Sequence, residues 1–99
     1  MSQHPLDVFK RIDPDFFKHV ENTSDFALSD GALPKRFKFL IAMALDAAAG
    51  TADGVQSLAH DAIKAGATKE EIAETLRVAQ YVSGVGTTYT AGQGLAELF

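Results

Sequence analysis

The chain has 99 residues, no cysteine and a formal net charge of −4 at pH 7, with its basic residues scattered along the sequence. This length predicts one domain, and the lack of cysteine excludes disulfides, thiol catalysis and cysteine-ligated metal sites. The charge pattern argues against a nucleic-acid partner and against an electrostatic membrane anchor.

Hydrophobic residues make up 46% of the chain and include seven phenylalanines. A domain of this size buries only about 60–65% of its unfolded surface. The composition therefore predicts more apolar surface than one copy can cover, and hence a homo-oligomer. The first residues contain no apolar stretch of signal-peptide length, so we expect a cytoplasmic protein.

Residues 1–31 predict two helices. A short helix covers about residues 5–12. The pair Asp13-Pro14 is a strong start for the next helix, with Asp13 as the N-cap and Pro14 at the first helical position. We expect this second helix to reach Glu21 or beyond.

Residues 34–66 are the centre of the predicted domain and indicate two helices that meet at Gly50. Pro34 suits a first helical position, and Gly50 suits a C-terminal stop. Between residues 39 and 49 the only charged side chain is Asp46. A helix that is apolar almost all round is a buried helix, so this one is expected at the middle of the fold.

The last third of the chain predicts two more helices. Thr68 and Glu71 have the spacing of a capping box at the start of the first, and Gly84 ends it. The final helix contains Gly92 and Gly94, which cost helix propensity and are expected where another helix comes close. No stretch has the alternation of a strand, and the predicted fold is all-α.

A Leu-Pro-Lys run, an alanine-rich helix, a Gly stop and the segment AGATKEEIAETL follow one another over residues 33–98. In this order they resemble the carboxymuconolactone decarboxylase family, which includes the alkylhydroperoxidase D-like proteins. The resemblance implies an alkylhydroperoxidase D-like domain of five to six helices over residues 1–99, with residues 1–31 as divergent N-terminal helices. It also implies a homo-trimer or homo-hexamer.

Redox-active members of that family carry a C-x-x-C-x-x-x-H motif at the start of the second core helix and a Glu on the helix before. The four family positions fall in this chain on Thr51, Gly54, Leu58 and Phe39. All four are substituted, so the resemblance implies the scaffold without the thiol peroxidase machinery. Decarboxylase members commonly keep the His, and Leu58 stands there in this chain.

A few polar residues remain as site candidates. The candidate catalytic residues are Asp46, a lone carboxylate on an apolar helix, and Tyr89. Basic side chains and a helix N-terminus are the candidates for holding a small anionic organic ligand, and these are Lys35, Arg36, Thr51 and Asp53. The three histidines are too scattered to predict a metal site, and nothing in the sequence predicts a cofactor.

Three functions stay open at this stage. The first is a repurposed or degenerate small-molecule site on a homo-oligomeric scaffold. The second is a cofactor-free, decarboxylase-like enzyme for small lactone or aromatic acids, with Asp46 or Tyr89 in acid–base roles. The third is a non-catalytic structural or interaction protein whose cavity is closed by Phe39 and Leu58. A packed site favours the third function, and an open pocket favours the other two.

Overall fold

A computed structural model describes residues 4–99 of the chain. Over these residues the regular structure is helical, without a strand, which confirms the predicted all-α class. Helices α3 to α6 pack around one core, whereas α1 and α2 pack mainly on each other. The helices are α1 (Asp7–Ile12), α2 (Pro14–Ala27), α3 (Lys35–Ala49), α4 (Ala52–Lys64), α5 (Lys69–Ser83) and α6 (Val85–Leu95).

The core lies between α3 and α4, with α5 and α6 packed against this pair. Met43 of α3 and Val55 of α4 are completely buried, and Ile72 of α5 is buried beside them. Burial of a side chain of this size stabilises the fold by about 1.5–3 kcal/mol. Helix α6 adds Ala91 and the buried Thr87, whose small side chains let it approach closely. The alanine-rich α3 contacts the three other core helices, as expected of a central helix, but the expected burial on nearly every side is wrong within one copy, because Ile41 and Leu45 are exposed.

Glycine ends α3 as the sequence predicts. Gly50 has a φ of 85°, a left-handed conformation that favours glycine. The Thr51 amide donates to the Asp46 carbonyl oxygen over 2.9 Å, and the Gly50 amide donates to the Ala47 carbonyl oxygen over 3.3 Å. These two bonds form a Schellman motif. The motif turns the chain sharply, so that the first turn of α4 lies beside the last turn of α3.

Two of the predicted helix starts are confirmed, and the start of α3 differs from the prediction. The Asp13 carboxylate accepts a hydrogen bond from the Phe16 amide, and Thr68 forms the predicted capping box with Glu71. Pro34 is the N-cap of α3 and not its first helical residue, because its ψ of 148° is extended. Helix α3 therefore begins one residue later than predicted. Helix α2 continues without a break to Ala27.

The two glycines of α6 differ from each other. A Cβ atom on Gly94 would lie 2.6 Å from the Ala52 carbonyl oxygen and 2.8 Å from the Val55 Cβ, so the predicted close approach is confirmed there. The prediction was wrong for Gly92, which is exposed and has no neighbouring atom within 4 Å of that position. Gly94 is therefore the contact point between α6 and α4.

Candidate functional site

The turn between α3 and α4 places Asp46, a predicted catalytic residue, against Gly54, one of the four family positions. A Cβ atom on Gly54 would lie 2.1 Å from the Asp46 Oδ2 and 2.8 Å from its Cγ. The half-buried carboxylate of Asp46 therefore occupies the space in which a side chain at position 54 would begin. The carboxylate thus lies between the last turn of α3, to which Asp46 belongs, and the first turn of α4, to which Gly54 belongs.

This contact predicts an energetic coupling between Asp46 and Gly54. With Asp46→Ala in place, Gly54→Ala should stabilise the protein by roughly 0.5–1 kcal/mol, because alanine has the higher helix propensity. With Asp46 present, the new Cβ must displace the carboxylate, and the gain should vanish or reverse. Urea unfolding of the four chains of this cycle is expected to give a coupling of about 1 kcal/mol. Effects that add to within about 0.3 kcal/mol would contradict the contact.

The other family positions hold side chains that pack or point outward. Phe39 and Leu58 are half-buried and pack against the core cluster. Thr51 is exposed at the N-cap position of α4, and its side chain makes no capping hydrogen bond. The family positions thus carry no reacting group and contribute packing at Phe39 and Leu58.

The predicted ligand-binding residues do not form one group. Lys35 and Arg36 lie in the first turn of α3, about 16 Å along the helix axis from Asp46 at 1.5 Å per residue. Arg36 is also engaged, since its Nε lies 3.5 Å from the Glu71 Oε2 and its guanidinium carbon lies 4.5 Å from the centroid of the Phe37 ring. Lys35 and Arg36 therefore cannot hold a small substrate against Asp46.

The remaining candidates are on the surface. Asp53 is exposed in the first turn of α4. Tyr89 is 72% exposed on α6. The candidate residues therefore lie at three separate places: the start of α3, the corner between α3 and α4, and the outside of α6. Sequence reasoning could name Asp46 as unusual, but it could not place the carboxylate against Gly54.

The cavities lie elsewhere on the protein. Five principal cavities are found in residues 4–99, and none is lined by a family position or by either predicted catalytic residue. The same residues contain no cluster of three His, Asp or Glu side chains that could hold a metal ion. No helix in residues 4–99 has the length and apolar character that a membrane span requires.

Another surface feature of the core is an apolar groove between α3 and α5. It has a volume of about 420 Å³. None of its lining side chains is charged, and four of the larger ones are at least 49% exposed, namely Ile41, Leu45, Val78 and Val82. We call it the α3/α5 groove. It is lined by Ile41, Ala44, Leu45, Ala48, Thr75, Val78, Ala79, Val82 and Ser83.

Comparison with known proteins agrees with the helical architecture. No curated protein matches the chain. The apo crystal structure of a carboxymuconolactone decarboxylase family protein from Legionella pneumophila is similar, with 33% sequence identity and a TM-score of 0.85 over 92% of this chain and 81% of the other. The sequence model of the carboxymuconolactone decarboxylase family matches residues 14–95, and therefore includes α2 as well as the four core helices. This chain belongs to the carboxymuconolactone decarboxylase family.

Proposed function

We propose that this chain is a non-catalytic, self-associating member of its family, in which the family positions serve packing. The observation that carries the proposal is the Asp46 carboxylate in the space beside Gly54. A thiol at position 54 could not be added without moving that carboxylate. Phe39 and Leu58 pack against the core, so these two family positions contribute apolar packing in place of reacting groups.

Self-association follows from the surface that the helices leave uncovered. Large apolar side chains are exposed along the α3/α5 groove and on α1 and α2. Monomeric proteins rarely expose contiguous apolar patches of more than a few hundred Å². The natural covering is further copies of the chain, and the trimer or hexamer that the family resemblance implies is the expected form.

Turnover assays test the non-catalytic part of the proposal. The full chain and its Asp46→Asn variant should consume hydroperoxide, in the presence of a dithiol reductant, no faster than buffer does. Small lactone acids and aromatic acids should likewise be recovered unchanged after incubation with the protein. A cysteine-dependent peroxidase serves as the positive control. A rate that rises in proportion to the protein and is lost in Asp46→Asn would contradict the proposal and favour the cofactor-free enzyme.

A second candidate function is the binding of a small neutral molecule in the α3/α5 groove. The volume of about 420 Å³ lies within the usual range for ligand sites. Because none of the lining residues is charged, such a ligand would be neutral and not the anionic molecule that the sequence suggested. Thermal-shift measurements with small aromatic amides and alcohols test this function. Stabilisation that is lost in Val82→Asp supports it, and no stabilisation by any compound eliminates it.

A further inference from the structure

The first two helices form an arm that lacks a partner within its own chain. Helices α1 and α2, residues 7–27, make their main tertiary contacts with each other. The rings of Phe9 and Phe16 meet edge to face, with centroids 5.3 Å apart. Neither helix contains a buried residue. We call this helix pair the N-terminal arm.

Large apolar side chains are exposed on the outside of the N-terminal arm, among charged residues. Ile12 is 69% exposed at the end of α1, and Phe26 is 84% exposed near the end of α2. Val8 and Phe16 are also exposed. Isolated helices shorter than about 12–15 residues are marginal in water, and α1 has only 6 residues. The arm therefore needs a surface to pack against.

The amount of exposed surface supports the same conclusion. The chain exposes 6978 Å², whereas a compact monomer of this mass exposes about 5,500 Å². The excess is thus about 1,500 Å², more than the ~800 Å² that each partner buries in a standard interface. The radius of gyration of 14.4 Å is likewise larger than the ~13 Å of a compact domain of this length.

Each copy carries both an uncovered arm and an uncovered groove. The α3/α5 groove is neutral and apolar, which suits the apolar side chains of the arm. Arm and groove of one chain do not pack on each other. The Lys38 Nζ donates a hydrogen bond to the Ser29 carbonyl oxygen and so holds the linker after α2 against the start of α3. The arm is anchored at its base while its other end, near Ile12, is free to reach another molecule.

We propose that the N-terminal arm of one copy packs into the α3/α5 groove of a second copy. This inference rests on the proposed self-association and specifies the contact that produces it. Because every copy provides one arm and one groove, the contact can repeat head to tail around a closed ring such as the expected trimer, so that every arm occupies the groove of the next copy. Such an arrangement covers the exposed apolar side chains of the arm and of the groove at once.

Cross-linking tests the contact with little background, because the natural chain contains no cysteine. Chains carrying only Ile12→Cys are mixed with chains carrying only Leu45→Cys or only Val82→Cys, and treated with a short bismaleimide. All three positions are at least 66% exposed in one copy, so the substitutions should leave the protomer folded. Circular dichroism of each chain checks this. Both mixtures should give a covalent dimer that joins the two different chains.

The matched control mixes chains carrying only His60→Cys, at an exposed position of α4, with chains carrying only Ile12→Cys. This mixture should give no dimer. Dimers in the two groove mixtures but not in this control support the proposal. Three outcomes overturn it: no dimer in either mixture, dimers of Leu45→Cys chains with each other alone, or cross-links within a single chain that carries both Ile12→Cys and Leu45→Cys, measured at high dilution. If one of these occurs while the natural protein is still an oligomer, arm exchange fails and self-association stands. If the natural protein is a monomer, both fail.

Discussion

Gly94→Ala is expected to lower the free energy of unfolding by about 3 kcal/mol, the upper end of the usual range for overpacking. The added methyl group would lie 2.6 Å from the Ala52 carbonyl oxygen and 2.8 Å from two atoms of Val55. Neither neighbour can easily move, because one is backbone and the other is a completely buried side chain. Helix α6 must therefore shift away from α4. Urea unfolding followed by circular dichroism measures the loss.

Gly92→Ala is the matched control, in the same helix and with the same change in side chain. Nothing lies within 4 Å of the position of its new Cβ. Alanine should stabilise the helix there by roughly 0.5–1 kcal/mol. Opposite signs for the two substitutions confirm the close approach at Gly94. Equal gains at both positions would show that α6 does not touch α4 at that point.

Phe39→Glu is expected to lower the free energy of unfolding by about 2–4 kcal/mol. This substitution restores the acidic residue that redox-active members of the family carry on the first core helix. In this chain the Phe39 ring packs against the buried cluster of α3 and α4. A carboxylate there loses the packing of the ring, and an ion pair with Lys35, one turn earlier in α3, would offset only about 0.2–0.5 kcal/mol of that loss. Thermal and urea unfolding of the variant measure the loss.

Tyr81→Glu controls for the general effect of placing a glutamate on an aromatic position of a helix. Tyr81 is 90% exposed on α5, so its replacement should change the free energy of unfolding by less than about 0.5 kcal/mol. A stable Phe39→Glu variant, no different from the control, would mean that position 39 faces a polar hollow. The proposal that the family positions serve packing would then be wrong.

Local signals predicted much of the fold. Gly50 ends a helix and the pair Thr68–Glu71 begins one through hydrogen bonds made within a few residues, and such bonds can be anticipated from the sequence. The alanine-rich stretch predicted the central helix because it is apolar on nearly every side. All of these features depend on neighbours in the chain, and this is why the sequence was sufficient.

Contacts between distant residues were harder to predict. Asp46 and Gly54 meet only because the Schellman turn folds α4 back along α3, and their spacing does not reveal how close the atoms come. Gly92 and Gly94 have the same local environment in the sequence, and only the rotation of α6 against α4 distinguishes them. The unpartnered arm is a further example, since its apolar stripe predicts a packed helix but does not identify the surface that covers it.

Sedimentation equilibrium of the full chain tests most directly whether this protein works as an assembly of copies. The exposed arm and groove predict a mass that is an integer multiple of the protomer mass of 10.6 kDa, with a trimer or hexamer expected. The multiple should persist on dilution to the lowest concentration at which absorbance can be measured. A single species of protomer mass, even at the highest soluble concentration, would contradict the proposal.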